Sequence, residues 1–160
     1  MNKEKKSKQS PFHLHEDTRL GLPEHEFQLK SAEFQKVDLD FDITFFQGIL
    51  KRNPYNEEAL LFLGNAYTAC GVFRKGLEID KRIVRLRSTD PTAFYNLACS
   101  YSLLEDAEKA LRALRRAIDL GYDDLRHMLQ DPHLENLRRD RRFRLLVNRL
   151  RRLAGKKTLT

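Results

Sequence analysis

Two eight-residue stretches of this chain share one pattern at an offset of 34 residues. LLFLGNAY begins at Leu60 and FYNLACSY begins at Phe94. A large residue, a leucine, a small residue and a tyrosine occupy the same places in both stretches. On an α-helix these places share one face, because residues three and four apart are neighbours. The period indicates a repeated helical unit, since stacked repeat proteins have internal periods of 20–50 residues.

The residues around both stretches indicate where helices begin and end. Asn56 and Asp90 are favourable N-cap residues, and Pro91 follows at the first helical position. Gly71 and Gly121 stand where glycine commonly ends a helix. We therefore predict one helix pair over residues 56–89 and a second over residues 90–123.

This repeated pattern resembles the first helix of a tetratricopeptide repeat (TPR), a helix–turn–helix unit of the same length. The resemblance implies an all-α fold, in which antiparallel helix–turn–helix repeats stack as a short right-handed superhelix with a C-terminal capping helix. Over about residues 37–150 the chain is similar to bacterial TPR proteins that end in a short helical cap. Asp80 and Ile83 depart from the pattern, because TPR repeats usually carry an aromatic residue and an alanine there.

The segments outside the two repeats are less regular. Residues 1–22 are expected to be a disordered basic tail, whose isolated apolar residues Phe12, Leu14 and Leu20 are candidates for docking elsewhere. Residues 23–55 are interpreted as a degenerate first repeat with its second helix over Asp38–Arg52. Residues 124–153 are expected to form the helical cap, and residues 154–160 a disordered tail. An arginine-rich helix over 140–153 would give the array the polar outer face it needs.

The net charge of +7 is concentrated at the two ends of the chain. Residues 1–10 carry +3 and residues 136–160 carry +9, which leaves −5 for the acidic middle. A dense basic patch attracts phosphate or acidic protein regardless of sequence. Because Phe143 is expected in the core, no aromatic residue is left to stack bases, and a solvated face partly paired with acidic residues is the simpler interpretation. The patch comprises Arg138, Arg139, Arg141, Arg142, Arg149 and Arg152, with Arg144 and Arg151 beside them.

No motif in the sequence indicates catalysis or a cofactor. Phosphate loops, HExxH, Cys-x-x-Cys and Gly-x-Ser-x-Gly are all missing from the sequence, so we expect a non-enzyme without cofactor or metal. His13, His15 and His25 lack a carboxylate or thiol at helical spacing to complete a metal site. Cys70 and Cys99 are expected as buried small side chains rather than a disulfide or metal pair. No membrane-length apolar run or secretory signal is seen, which favours a cytoplasmic protein.

The resemblance implies a concave groove lined by the first helices, which binds a peptide or helix of a protein partner. The residues expected to line it are Glu58, Leu61, Asn65, Thr68, Thr92, Tyr95, Asn96, Cys99, Ser102 and Arg126. Some TPR proteins clamp a C-terminal carboxylate, but Leu61 and Gln130 stand where two of the cations would be needed. We therefore favour an adaptor or scaffold with a general peptide groove. The alternatives are an RNA- or ribosome-associated factor using the arginine patch, and, with little support, a secretion chaperone.

Overall fold

The computed structural model describes the backbone of residues 24–157 and the side chains of residues 38–153. Contacts along the chain divide it into two units, Met1–Phe34 and Gln35–Thr160. All of the described side chains belong to the second unit. The expectations for a disordered tail over residues 1–22, for docking of its apolar residues, and for residues 158–160 lie outside the described residues.

The described chain is all-helical. It consists of α1 (Glu24–Arg52), α2 (Glu57–Ala69), α3 (Phe73–Leu86), α4 (Pro91–Leu103), α5 (Ala107–Asp119), α6 (Leu125–Gln130), a 3₁₀ helix η1 (Pro132–Leu137) and α7 (Arg141–Lys157). This succession confirms the predicted all-α helical-repeat fold. None of the described helices is long and apolar enough to cross a membrane.

Two helix pairs, α2 with α3 and α4 with α5, form the centre of the molecule. Their first helices begin at the predicted caps: the Asn56 side chain accepts a hydrogen bond from the backbone N–H of Ala59 at 2.8 Å. Asp90 accepts one from the N–H of Thr92 at 2.8 Å, with Pro91 at the first helical position. Such caps stabilise a helix because its first N–H groups have no partner within the helix.

The apolar core has two parts that meet between α3 and α4. The first joins α1, α2 and α3 around Leu50, Leu60 and Ile83. The second joins α4 and α5 to the C-terminal elements, and its fully buried side chains include Leu114 and Leu134. Val84 of α3 packs against both parts, so the two repeats share one continuous apolar interior.

Two glycines allow α2 and α3 to approach closely. A methyl group added at Gly64 would lie 3.2 Å from Ile79 Cγ2, and one at Gly76 would lie 3.1 Å from Thr68 Oγ1. Both distances are tighter than ordinary packing contacts, so these neighbours would have to shift by a few tenths of an ångström to admit a side chain.

Two stretches differ from the sequence-based expectation. The region expected to hold a degenerate helix pair contains one continuous helix, α1. Residues 24–47 include neither glycine nor proline, so nothing interrupts the helix where a turn would be required. At the other end α7 continues to Lys157, beyond the expected boundary at 153.

The C-terminal cap packs its apolar residues inward. Leu134 and Leu137 of η1 are buried, and η1 lies against α4. In α7, Phe143, Val147 and Leu150 are buried at helical spacing, while most of the arginines of this helix are exposed. The expected placement of Phe143 in the core is confirmed, and no base-stacking role is left for its ring.

Candidate functional site

An open cleft lies between α2 and α4 and is closed at one end by the C-terminal elements. We call it the α2–α4 cleft, and its volume is about 330 Å³. Its lining residues carry amides, hydroxyls, carboxylates, a thiol and imidazoles beside a larger apolar surface. They are Gly64, Asn65, Thr68, Asp80, Tyr95, Asn96, Cys99, Ser100, Leu103, His127, Asp131, Pro132 and His133.

Two asparagines face this cleft, one from each first helix. Asn65 is exposed and Asn96 is partly buried. Within residues 38–153 neither side-chain amide has a hydrogen-bond partner. An amide carries both donors and an acceptor, so each can pair with the backbone of an incoming chain.

Asp80 of α3 lies largely buried at the wall of the cleft. Ser100 Oγ of α4 donates a hydrogen bond to its Oδ2. Burial raises the pKa of the Asp80 carboxyl to about 6, and the bond from Ser100 offsets only part of that effect. The carboxylate is therefore costly to hold ionised at neutral pH, and a donor entering the cleft would relieve that cost.

We expect Asp80→Asn to raise the free energy of unfolding at pH 7 by about 1–2 kcal/mol. The pKa of Asp80 is about 6 in the folded chain and 3.8 in its ordinary state. Between pH 3.8 and about 6 the Asp80 carboxyl is therefore protonated in the folded chain but ionised in the unfolded chain. Wild-type stability should therefore fall as pH rises from about 4 to about 6, and the variant should lack this fall. Urea unfolding at several pH values measures both effects.

The matched control for this substitution is Asp106→Asn. Asp106 is a surface N-cap residue whose side chain pairs with Lys109, and this hydrogen bond lowers its pKa. Its replacement should give no gain at pH 7. Equal gains in both variants would contradict the burial argument for Asp80.

Asp131 lies between α6 and η1, at the C-terminal wall of the cleft, and is 5% exposed. Tyr95 Oη donates to its Oδ2 at 2.7 Å, and the N–H of His133 donates to its Oδ1 at 2.9 Å. The Cys99 thiol lies 3.5 Å from Oδ2. Burial alone would raise the pKa of Asp131, but the hydrogen bonds from Tyr95 and His133 outweigh it and lower the pKa.

The same contacts correct the expected exposure of part of the groove. The sequence predicts that Tyr95, Cys99 and Ser102 project into an open groove, but all three are buried. The Tyr95 ring stacks on Tyr122 with centroids 4.4 Å apart, and Ser102 Oγ donates to the Asn136 side chain. The cause is the C-terminal segment, which lies against α4 and covers this part of its face.

The other expected groove residues fall into two groups. Asn65, Thr68 and Asn96 line the cleft together. The remaining four lie outside its lining: Glu58, Thr92 and Arg126 are exposed, and Leu61 packs partly buried against the first core cluster. Cys70, expected to be buried, is only partly so.

The arginine patch is partly neutralised by the body of the protein. Arg142 pairs with Asp140 at 2.8 Å and with Glu108 of α5 at 3.1 Å, and Arg149 pairs with Asp119. Arg138 Nη2 donates to the backbone carbonyl of Asp131 at 3.1 Å. The other members of the patch, Arg139, Arg141 and Arg152, are exposed and form no ion pair with described residues.

Five polar or charged residues of the cleft were not predicted as groove residues from the sequence: Asp80, Ser100, His127, Asp131 and His133. Asp80 did stand out, because an acid occupied the place of an aromatic residue. The other four gave no signal, since Asp131 meets Tyr95 and Cys99 across 36 and 32 positions of sequence. Helical periodicity reports neighbours within one helix and says nothing about such contacts.

Comparison with known proteins places the chain among helical-repeat proteins. The sequence matches no protein-family model. A curated relative, a chloroplastic protein of Arabidopsis thaliana, is 32% identical over 96 residues. The match covers 58% of this chain but 29% of the plant protein, so the chain spans less than a third of that relative.

Solved structures of MamA are similar in fold. One MamA crystal structure is 31% identical with a TM-score of 0.54, and the match covers 61% of this chain and 57% of that chain. The structure of MamA from residue 41 to the end, from Desulfovibrio magneticus RS-1, has a TM-score of 0.61 at 20% identity. That match covers 84% of this chain and 77% of that chain, and it bears on the fold alone.

Proposed function

Because this chain is a tetratricopeptide-repeat protein, we propose that it is a non-catalytic interaction module that binds an extended segment of a partner protein. The binding site is the α2–α4 cleft. The observation that carries the proposal is the pair of unpartnered amides, Asn65 and Asn96, which face this cleft from two adjacent helices. A bacterial origin and a cytoplasmic location stay predictions from the sequence.

The two amides suit recognition of a peptide backbone. Each offers two N–H donors and one carbonyl acceptor, so it can pair with a peptide C=O and N–H at once. Backbone pairing supplies affinity that is independent of the partner's side chains, and nearby side chains then supply selectivity. The hydroxyl of Thr68 lies on the same cleft wall as Asn65 and adds a further polar contact.

Asp80 indicates the chemistry of the segment that binds. Its carboxylate is largely buried and has one hydrogen-bond donor in the described chain, Ser100. A lysine or arginine of the partner would add a charge-assisted hydrogen bond, which is the stronger kind. We therefore propose that the bound segment places a basic side chain next to Asp80.

The acidic residues of the cleft disfavour a C-terminal carboxylate as the ligand. Asp80 and Asp131 both line the cleft, and Asp131 has a lowered pKa and is ionised at neutral pH. Arg126 lies outside the cleft lining. A carboxylate entering the cleft would meet like charge, and the lining contains no lysine or arginine to compensate it. This favours a general peptide groove over the carboxylate clamp.

The arginine patch supports the RNA- or ribosome-associated alternative less well. Arg142 and Arg149 already pair with acidic residues, so the charge presented to a nucleic acid is reduced. The exposed arginines have no surface aromatic residue interleaved on α7, because its single aromatic residue, Phe143, is buried. Both points match a solvated outer face of the cap.

A peptide-display experiment tests the proposed site. We expect the purified full chain to select random peptides with a basic residue at one fixed place. Asn65→Ala and Asn96→Ala should each weaken binding of a selected peptide about 3- to 10-fold, because each removes one or two hydrogen bonds. Fluorescence anisotropy on labelled peptides measures the affinities.

The control is Asn148→Ala, which removes an exposed amide on α7 away from the cleft. It should leave the affinity unchanged. Equal binding by all three variants would place the site elsewhere, and selection of peptides that share a free carboxyl end would contradict the charge argument.

A further inference from the structure

Four side chains with metal-ligating atoms meet at the C-terminal wall of the α2–α4 cleft. Ligand atoms of Cys99, Asp131 and His133 all lie within 4.8 Å of one another. His127 Nε2 lies 3.6 Å from Asp131 Oδ2. The thiol comes from α4, one imidazole comes from α6, and the carboxylate and the other imidazole come from the start of η1.

The spacing of these atoms matches a small coordination site. Cys99 Sγ and Asp131 Oδ2 are 3.5 Å apart, and His133 Nδ1 and Asp131 Oδ1 are 3.2 Å apart. In a tetrahedral zinc site with bonds of about 2.0–2.3 Å, neighbouring ligand atoms are about 3.3–3.8 Å apart. Both distances lie in or close to this range, and the ligand atoms of Cys99, Asp131 and His133 all lie within 4.8 Å of one another.

We propose that this wall binds a divalent metal ion of the zinc class, with Cys99, Asp131 and His133 as ligands and His127 as the fourth. Thiolate, imidazole and carboxylate together suit Zn²⁺. Ca²⁺ and Mg²⁺ prefer oxygen ligands alone, so they do not fit this set. The site goes beyond the proposed peptide binding and does not depend on it.

The surroundings hold the carboxylate in place for such a role. Tyr95 Oη donates to Oδ2 at 2.7 Å, and the N–H of His133 donates to Oδ1 at 2.9 Å. Outer hydrogen bonds of this kind orient metal ligands and tune the ion. Asp131 caps η1, which explains the hydrogen bond from the N–H of His133 to its Oδ1. Capping alone does not explain why the thiol of Cys99 and two imidazoles surround the same carboxylate.

The burial of the four groups also fits a site that an ion can enter. Cys99 and Asp131 form a buried floor, while the side chains of His127 and His133 are 56% and 44% exposed. The histidines stand at the rim of the cleft, where an ion that arrives from solvent can reach them. The floor then excludes water from one side of the bound ion.

Titration of the reduced, full-length protein with Co²⁺ tests the site, because thiolate-bound Co²⁺ absorbs characteristically. We expect one equivalent to bind and to produce a thiolate-to-cobalt charge-transfer band. Cys99→Ser should abolish the band while leaving the fold intact, since serine is nearly isosteric with cysteine. Tyr95→Phe should weaken binding about 10- to 100-fold, which is typical for loss of an outer hydrogen bond to a ligand.

Two controls separate this site from other metal-binding groups of the chain. Cys70→Ser removes the other cysteine and should leave the band unchanged. Replacement of His13, His15 and His25 by glutamine should also preserve it. In parallel, Zn²⁺ should raise the melting temperature of the wild type but not of Cys99→Ser, because it binds the folded chain.

Three results would overturn the proposal. They are Co²⁺ binding without a thiolate band, a band that survives in Cys99→Ser, and a band lost in Cys70→Ser. Peptide binding at Asn65 and Asn96 is measured in a separate experiment. A chain that binds no metal could therefore still bind peptides, and a chain that binds no peptide could still bind the metal.

Discussion

Leu134→Ala is expected to lower the free energy of unfolding by about 2–5 kcal/mol. Leu134 is 0% exposed in η1 and packs in the second core cluster with residues of α4, α5 and α7. Truncation removes apolar contact and leaves a cavity that a close-packed interior fills only in part. Guanidinium unfolding followed by circular dichroism measures the loss.

The matched control is Leu145→Ala, the same change at a side chain that is 57% exposed on α7. Its effect should stay within about 0.5 kcal/mol, as for most surface substitutions. Similar losses in both variants would contradict the argument from burial. A small loss at Leu134 alone would mean that η1 is not part of the cooperative core, and Tyr95 would then be accessible in the groove.

Asp131→Ala is expected to cost about 3 kcal/mol at neutral pH, measured in the presence of a chelator. The substitution leaves the Tyr95 hydroxyl and the N–H of His133 without their acceptor in a buried place. Because hydrogen bonds lower the pKa of Asp131, the ionised carboxylate stabilises the fold above about pH 4. This contribution is lost as pH falls through the lowered pKa, so the two proteins should converge in acid.

Asp124→Ala serves as the control for this second prediction. Asp124 also caps a helix, with its side chain accepting from the N–H of His127 at 2.8 Å, but it is exposed. Its loss should cost about 1 kcal/mol, as for an ordinary N-cap. A cost at Asp131 no larger than at Asp124 would show that the Tyr95 and Cys99 contacts add nothing beyond capping.

The helical scaffold was predictable because its determinants are local. The 34-residue period, the caps at Asn56 and Asp90 and the small residues Gly64 and Gly76 act within one helix pair. Each position is set by neighbours three or four residues away or by the paired helix. Such signals are readable from one sequence, and the structure confirms them.

The candidate site was only partly predictable, because it depends on contacts between distant segments. Asn65 and Asn96 lie in the cleft because repeat geometry directs them there. Burial of Tyr95 depends instead on Asp131, 36 positions further along the chain, and on the turn that Pro132 begins. The sequence of the cap predicted an apolar cover for the last repeat, but not that this cover would lie on the face of α4 expected to line the groove.

The position of the cap would also limit how strongly one chain holds a partner in the proposed site. The C-terminal segment lies against α4, where a third repeat would continue the array, so the cleft stays at about 330 Å³. A cleft of this size admits a few side chains, and contacts of that extent are typical of weak, rapidly exchanging complexes. Durable association would then require avidity, with two tethered clefts engaging two segments of one partner, because linkage raises the effective concentration of the second contact.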